Sequence, residues 1–168
     1  MAPQPAPDNS STYVLTLDQV ENPLVRTGVN YWRALRGDRR MPARPQLSPR
    51  DIAGILRHLV ILRVLDDGTD YEYRLVGDAQ VQAYGFNFQN LRISQIKSVA
   101  PEFGQLMLGI YELVRTTRDP FVVRGWIGKD IPDSKFVYHE SAFLPLGQDG
   151  ETVDHIVVVS SYVPKALD

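Results

Sequence analysis

Residues 58–77 read HLVILRVLDDGTDYEYRLVG, and the rest of the fold is predicted to form around them. Two apolar runs flank Asp67-Gly68, a dipeptide typical of tight turns between antiparallel strands. A two-residue turn sets Arg63 opposite Glu72, whereas a four-residue turn sets it opposite Arg74, which repels it. The same register gathers the apolar side chains on the other face in three facing pairs: Val60 with Leu75, Leu62 with Tyr73, and Val64 with Tyr71. The stretch therefore predicts a β-hairpin whose apolar face must be covered by other parts of the chain.

The length and charge of the chain predict one ordinary globular domain. Its 168 residues suit a single domain, and 43% of them are hydrophobic. The formal net charge of −2 gives no general attraction to nucleic acid or to an anionic membrane surface. No apolar run approaches the roughly 20 residues of a membrane helix, and the N-terminus lacks the pattern of a signal peptide. The sequence therefore predicts a cytoplasmic protein with no nucleic-acid partner and no membrane insertion.

Residue types that carry much catalytic and metal chemistry are scarce. Without cysteine, the chain has no disulfide, no thiolate nucleophile and no cysteine-held metal. The three histidines, His58, His139 and His155, lie in strand-like segments without metal-ligand spacing, which is typical of structural side chains. His139 and Ser141 share one face of a strand, but Glu140 between them points to the other face. We therefore predict no metal site, no catalytic residue and no enzyme activity.

The remaining elements follow from caps, breakers and hydrophobic spacing. Residues 1–17 are predicted to form a disordered tail, residues 18–56 a helix followed by an Arg/Pro-rich linker, and residues 57–165 the main domain. In the main domain, the helices and strands that follow the hairpin are predicted at 78–84, 101–118, 121–128, 135–146 and 153–163. This order predicts an α+β fold with a five-stranded antiparallel sheet, helices on one of its faces and a flanking N-terminal helix.

The predicted N-terminal helix carries a narrow apolar stripe that has two interpretations. The stripe packs on the helix's own sheet, or it joins two copies of the chain. We predict a homodimer to which this stripe contributes an apolar patch. The candidate interface residues are Leu24, Tyr31, Trp32 and Leu35.

Five arginines lie within residues 33–44, the most charged stretch of the chain. Two R-x-x-x-R spacings among them also occur in motifs that bind phosphates or cyclic dinucleotides, because guanidinium groups match phosphate oxygens. The stretch is rich in proline, however, which removes backbone donors that a phosphate site needs. We therefore expect the arginines to make local structural contacts, with Asp38 and Asp51 as the acidic partners nearest in sequence.

Several short motifs resemble those of a bacterial family of short PAS-domain proteins. They are YWRALRGDRRMPAR at 31–44, SPRDI at 48–52, YRLVG at 73–77, YG at 84–85, LPL at 144–146, DG at 149–150 and VD at 153–154. The resemblance covers residues 31–163 and includes the order of the elements. It implies a PAS fold and a sensory or protein-interaction domain that stands alone, with no kinase, cyclase or DNA-binding module attached.

The resemblance also limits which cofactors the domain is expected to bind. PAS domains with a covalent flavin need a cysteine, and heme-binding ones place a histidine on or beside the long helix, where residues 101–118 have none. We therefore predict no heme and no covalent flavin. A non-covalent flavin or another small organic ligand stays open.

Two functions remain after these exclusions. One is a non-catalytic sensor that binds a small molecule between the sheet and the helices, and the other is a pure interaction module with a filled core that recruits a signalling partner. Cyclic-dinucleotide binding by the arginine-rich stretch is less favoured. The candidate pocket residues are Leu62, Tyr73, Leu75, Phe88, Met107, Ile110, Trp126 and Phe143.

Overall fold

The computed structural model describes residues 12–166 except residues 127, 129, 130 and 132. Its strands are β1 Thr12–Leu15, β2 Leu59–Leu65, β3 Asp70–Val76, β4 Phe121–Gly125, β5 Phe136–Leu146 and β6 His155–Pro164. Its α-helices are α1 Pro23–Arg36, α2 Asp78–Tyr84, α3 Ile93–Val99 and α4 Pro101–Thr117. The α+β class predicted from the sequence is confirmed.

All six strands of the described residues form one antiparallel sheet in the order β1-β4-β5-β6-β2-β3. Strands β2 to β6 are the five that the sequence predicts, and β1 adds a sixth at the edge beside β4. The prediction of a disordered tail through residue 17 is therefore wrong for residues 12–15, and its first part, residues 1–11, lies outside the described residues. The four residues of β1 are too few for a hydrophobic alternation to be recognised.

The β2–β3 hairpin keeps the predicted register near its turn. Arg63 faces Glu72, and their charged groups lie 3.4 Å apart. The predicted two-residue turn is wrong, because residues 66–69 connect the paired ends of the strands. This four-residue connection is centred on Asp67 and Gly68, so it keeps Arg63 opposite Glu72 rather than Arg74. Three of its residues have positive φ: Asp66, Asp67 and Gly68. The predicted pairs Leu62 with Tyr73 and Val64 with Tyr71 are confirmed.

Farther from the turn, a one-residue irregularity changes the pairing. Leu62 faces Tyr73, but Ile61 faces Leu75, so Arg74 is an extra residue in β3. A bulge of this kind turns all later side chains of the strand to the opposite faces. The predicted pair of Val60 with Leu75 is wrong for that reason.

Helices cover both faces of the sheet. On one face, Trp32 Nε1 of α1 donates to the carbonyl of Pro145 on β5 at 2.9 Å. A Cβ added at Gly28 would lie 2.6 Å from Val159 Cγ2, so the backbone of α1 packs directly on β6. On the other face, α2 and α4 lie over the sheet, and α3 packs on α4 and β3. The predicted flanking helix therefore lies opposite the other helices, because the continuous apolar run of β6 needs cover on both faces.

The apolar stripe of α1 packs against this sheet. Trp32 is 1% exposed, so it belongs to the core and cannot contribute to an exposed dimer patch. The other three candidate interface residues, Leu24, Tyr31 and Leu35, are partly buried against the same core. Homodimerisation stays a prediction, and it requires a surface that does not depend on Trp32.

A buried carboxylate holds the start of α1 on the sheet. Glu140 of β5 is 3% exposed. Its oxygens accept hydrogen bonds from the backbone N–H groups of Glu21 at 3.2 Å and Asn22 at 3.0 Å. Arg124 of the neighbouring β4 donates to the same carboxylate at 2.9 Å. Because Asn22 is also the N-cap of α1, Glu140 fixes where the helix begins relative to the sheet.

The arginine-rich stretch bonds groups of the same chain. Arg40 donates to the carbonyl of Thr117 at 3.0 Å and to the carboxylate of Asp119 at 3.1 Å, at the end of α4. Arg39 donates to the carbonyl of Gln148, in the turn after β5, at 3.2 Å. The last carbonyls of a helix lack intrahelical partners and attract a cation. Arg40 therefore bonds the end of α4 instead of the acidic partners expected from the sequence, Asp38 and Asp51.

Candidate functional site

A cavity of about 50 Å³ lies between the sheet and the helices α2 and α4. Strands β2, β3, β4, β5 and β6 all contribute side chains to its floor. Its walls are mainly aromatic and aliphatic, with a cluster of polar groups at one end. The lining residues are Val60, Tyr73, Gln80, Tyr84, Phe88, Phe103, Leu106, Met107, Ile110, Tyr111, Val123, Ile131, His139, Ser141, Phe143, Val158, Ser160 and Tyr162.

The cavity lies where the sequence places a pocket, between the sheet and the long helix. Five of the eight candidate pocket residues line it: Tyr73, Phe88, Met107, Ile110 and Phe143. Hairpin register identifies Tyr73, and the 3.6-residue spacing of α4 identifies Met107 and Ile110, without knowledge of the full topology, because both patterns assign side chains to faces.

The other three candidates do not line the cavity, each for its own reason. Leu75 faces the opposite side of the sheet because of the bulge in β3. Trp126 packs on Tyr138, with ring centroids 5.0 Å apart. Neighbouring side chains of a strand point to opposite faces, so Tyr138 points away from the cavity that His139 lines. Leu62 lies on the correct face but is buried in the core beyond the cavity.

Sequence reasoning did not select the polar end of the cavity. Its side chains are Gln80, His139, Ser141, Ser160 and Tyr162. The alternation of β5 does place His139 and Ser141 on one face, but nothing local shows that this face is the inner one. The pairing of Ser141 with Ser160 and of His139 with Tyr162 depends on the β5–β6 register, which joins residues about 20 positions apart.

A chain of hydrogen bonds connects most of these polar groups. His139 Nδ1 lies 2.9 Å from Ser141 Oγ, which lies 2.7 Å from Ser160 Oγ. The Tyr162 hydroxyl donates to the Gln80 side-chain oxygen, and Gln80 Nε2 donates to a backbone carbonyl. Each of these groups therefore has a partner within the protein.

One polar atom at the cavity has none. His139 is 7% exposed, and its Nε2 makes no hydrogen bond with the residues that the structure describes. Leaving a buried polar atom without a partner costs about 1–3 kcal/mol. Such an atom in the wall of a cavity indicates a place for a water molecule or a ligand.

The titratable groups of the cavity are all uncharged at neutral pH. Burial lowers the pKa of His139 from 6.5 to about 4, and the neighbouring charge of Glu140 opposes the shift only in part. Burial raises the pKa of Tyr84 to about 12 and that of Tyr73, Tyr111 and Tyr162 further above the ordinary value. The Tyr73 and Tyr111 hydroxyls lie 2.7 Å apart and bond each other. The cavity is therefore electrically neutral and low in polarity.

The lowered pKa of His139 predicts a pH-dependent stability. Between about pH 6.5 and pH 4 the unfolded chain binds a proton at this residue that the folded chain does not bind. The free energy of unfolding is therefore expected to fall as the pH drops through this window, by about 3 kcal/mol in total. Urea unfolding of the wild type and of His139→Gln at several pH values measures this contribution as the difference between the two curves.

The matched control for this experiment is His155→Gln, which replaces a histidine outside the cavity. We expect the control to keep the acid sensitivity of the wild type, while His139→Gln loses most of it. Parallel stability curves for the wild type and His139→Gln from pH 7 to about pH 4 contradict the prediction.

The contact between His139 and Ser141 is not the arrangement of an activated nucleophile. Ser141 also bonds Ser160, and Glu140 lies on the opposite face, where Arg124 and backbone N–H groups occupy it. A catalytic histidine needs a third group that orients it and a pKa near the working pH. His139 has a pKa of about 4, and the described residues that line the cavity offer it no carboxylate partner.

The described residues contain neither a cluster of metal ligands nor a helix suited to a membrane. In those residues, His, Asp and Glu side chains form no group of three or more that is placed to hold a metal ion. None of the helices in the same part of the chain combines the length and the apolar character that crossing a bilayer requires.

Comparison with known families gives one result that agrees with this geometry. A family model described as PAS domain matches residues 21–159, which is most of the chain. The match begins just before α1 and ends within β6, so it contains the cavity-lining residues up to Val158, while Ser160 and Tyr162 follow directly after it. Among curated proteins, the comparison gives no match.

Proposed function

Because the chain belongs to the PAS-domain family, we propose that it is a non-catalytic sensory domain that binds a small molecule in its central cavity. PAS domains are in general sensory or signalling-type domains. The small molecule would lie between the sheet and α4, so that its presence changes how α4 packs. The signal then passes to another protein by contact.

A single observation supports ligand binding most strongly. His139 lines the cavity and its Nε2 atom has no partner among the described residues, whereas the polar groups beside it are paired. A folded chain with an empty cavity keeps this cost, and a ligand or an ordered water removes it. Binding is therefore favoured at this atom.

The volume of the cavity supports a second candidate function, a pure interaction module with a filled core. At about 50 Å³, the cavity has roughly a third of the volume that holds benzene in an engineered protein cavity, about 150 Å³. A three-ring flavin or a heme is much larger than this space. The second candidate requires that the cavity contain water alone.

Native mass spectrometry of the purified protein distinguishes the two functions. We expect the wild type to carry mass beyond the polypeptide, and His139→Phe, which fills part of the cavity and removes Nε2, to lose it. His155→Phe is the matched control and is expected to retain the bound mass. A bare polypeptide mass for the wild type, together with an absorption spectrum of protein alone, argues for the interaction module.

We also propose that the domain works in the cytoplasm as a homodimer and contacts a signalling partner. Exposed apolar side chains on β1 and α4, Val14, Leu106 and Leu113, support contact with another chain. Cyclic-dinucleotide binding has less support, because Arg39 and Arg40 already bond carbonyl groups of the same chain.

A further inference from the structure

We infer that the ligand of the central cavity is an uncharged, compact molecule with one hydroxyl group on an apolar body, and that the hydroxyl bonds His139 Nε2. This inference rests on the proposed function, since it names the ligand class of the same cavity. Short alcohols and phenols belong to this class. Carboxylates, phosphates and amines do not.

The charge of the cavity excludes ionic ligands. None of its lining residues in the described part of the chain is Asp, Glu, Lys or Arg. Its histidine and tyrosines are uncharged at neutral pH, because burial moves each pKa away from neutrality. An ion that enters such a site loses its hydration and finds no opposite charge. A neutral ligand avoids this loss.

The hydrogen bonds of the cavity restrict the ligand to one polar group. The hydroxyls of Tyr73 and Tyr111 bond each other, Ser141 bonds Ser160, Tyr162 bonds Gln80, and the Tyr84 hydroxyl bonds that of Tyr162. His139 Nε2 is the polar atom of this set that lacks a partner among the described residues. Additional polar groups on a ligand would therefore face apolar walls or break an existing bond.

A hydroxyl suits this atom better than a pure donor or a pure acceptor. A neutral imidazole carries its proton on either ring nitrogen, and Ser141 can donate to Nδ1 or accept from it. Nε2 is accordingly an acceptor in one tautomer and a donor in the other. A hydroxyl group both donates and accepts, so it matches Nε2 in either state.

The walls of the cavity define the rest of the ligand. The rings of Tyr73, Phe88 and Phe143 and the side chain of Val158 form an apolar enclosure. On the α4 side, Phe103, Met107 and Ile110 are only partly buried and Leu106 is exposed. The unbranched Met107 adapts easily to different shapes. Movement of these α4 side chains enlarges the space for a small ring, while the sheet side stays fixed by its strand pairing.

The methionine methyl NMR signals of the whole protein test this inference directly. Met107 lines the cavity, and the buried Met41 lies away from it, beside Gly147, so one methyl reports binding and the other is an internal control. The probes are phenol, the smaller isopropanol, toluene as the apolar match of phenol, and benzoate as a charged match. We expect phenol or isopropanol to shift the Met107 signal and leave Met41 unchanged. We expect phenol to bind about tenfold more tightly than toluene, and benzoate to leave Met107 unchanged.

The variant His139→Leu identifies the contribution of Nε2. In this variant we expect phenol and toluene to bind with equal affinity, while His155→Leu keeps the preference of the wild type. Equal binding of phenol and toluene to the wild type, or binding of benzoate, overturns the ligand class but leaves the proposed function standing. If no probe moves the Met107 signal and the native mass is that of the bare polypeptide, both the class and the proposed function fail, and the cavity holds water alone.

Discussion

Replacing Glu140 with alanine is expected to lower the free energy of unfolding by about 3–5 kcal/mol. Glu140 is 3% exposed. Its carboxylate accepts hydrogen bonds from the backbone N–H groups of Glu21 and Asn22 and from the guanidinium group of Arg124. Removing it leaves Arg124, whose side chain is only 15% exposed, without its buried partner. The substitution also unpairs two donors at the start of α1. Urea unfolding at neutral pH, monitored by circular dichroism, measures the loss.

The matched control is Glu151→Ala, which removes the exposed ion pair between Glu151 and Arg118. An exposed pair contributes about 0–1 kcal/mol, so the control is expected to retain nearly all of the wild-type stability. Glu140→Gln keeps the size and one acceptor oxygen, and its loss should lie between the two alanine variants. Equal stabilities for Glu140→Ala and Glu151→Ala contradict the assignment of Glu140 as the anchor of α1.

The sequence predicted most elements of this fold, though not β1 or α3, because the signals of those elements are local. Asn22-Pro23 at the start of α1, Gly85 after α2 and the hydrophobic spacing of α4 each act within a few residues. The same holds for the hairpin, where the charges of Arg63 and Glu72 select the register. These patterns depend on the backbone preferences of single residues and on residues that are close together in sequence. A single sequence is therefore enough to recognise them.

The bulge at Arg74 shows where local reasoning fails in the hairpin. Nothing in the alternation of β3 signals an extra residue, because Tyr73, Leu75 and Val76 all suit a strand. The irregularity occurs where β3 makes contacts that are distant in sequence. The backbone of Tyr73 forms hydrogen bonds with residues 90–91 on the side of β3 that does not pair with β2. Because of this single extra residue, the sequence pattern assigned Leu75 to the wrong face of the sheet and therefore counted it among the candidate pocket residues.

The polar end of the cavity depends on contacts that are distant in sequence. His139 and Ser141 meet Ser160 and Tyr162 through the β5–β6 register, and Gln80 joins them from α2. A histidine and serines in strands look the same in a sequence whether they face water or an interior. They are brought together only when α2 and α4 cover this face of the sheet, and within the described part of the chain His139 Nε2 then has no partner.

Trp32→Ala is expected to lower the free energy of unfolding by about 3–5 kcal/mol, because it removes one of the largest fully buried side chains. The indole packs between α1 and the sheet, and its Nε1 bonds the Pro145 carbonyl at 2.9 Å. The substitution therefore loses apolar burial, leaves a cavity and unpairs a buried carbonyl. Trp32→Phe keeps most of the volume and should lose less, about 1–3 kcal/mol.

A loss of this size separates the two interpretations of the α1 stripe. If Trp32 belongs to the core, Trp32→Ala destabilises the chain at every protein concentration, and Val99→Ala, at a side chain that is 80% exposed, changes the stability by less than about 0.5 kcal/mol. If Trp32 instead joins two copies of the chain, its loss lowers the stability mainly at high concentration and shifts sedimentation from dimer to monomer. If the stripe lies in the core, the unfolding curve of each protein is the same at low and at tens of micromolar concentration. The curve of Trp32→Ala is then displaced from that of the wild type by the full expected loss at both concentrations. Any dimer must then form through other side chains.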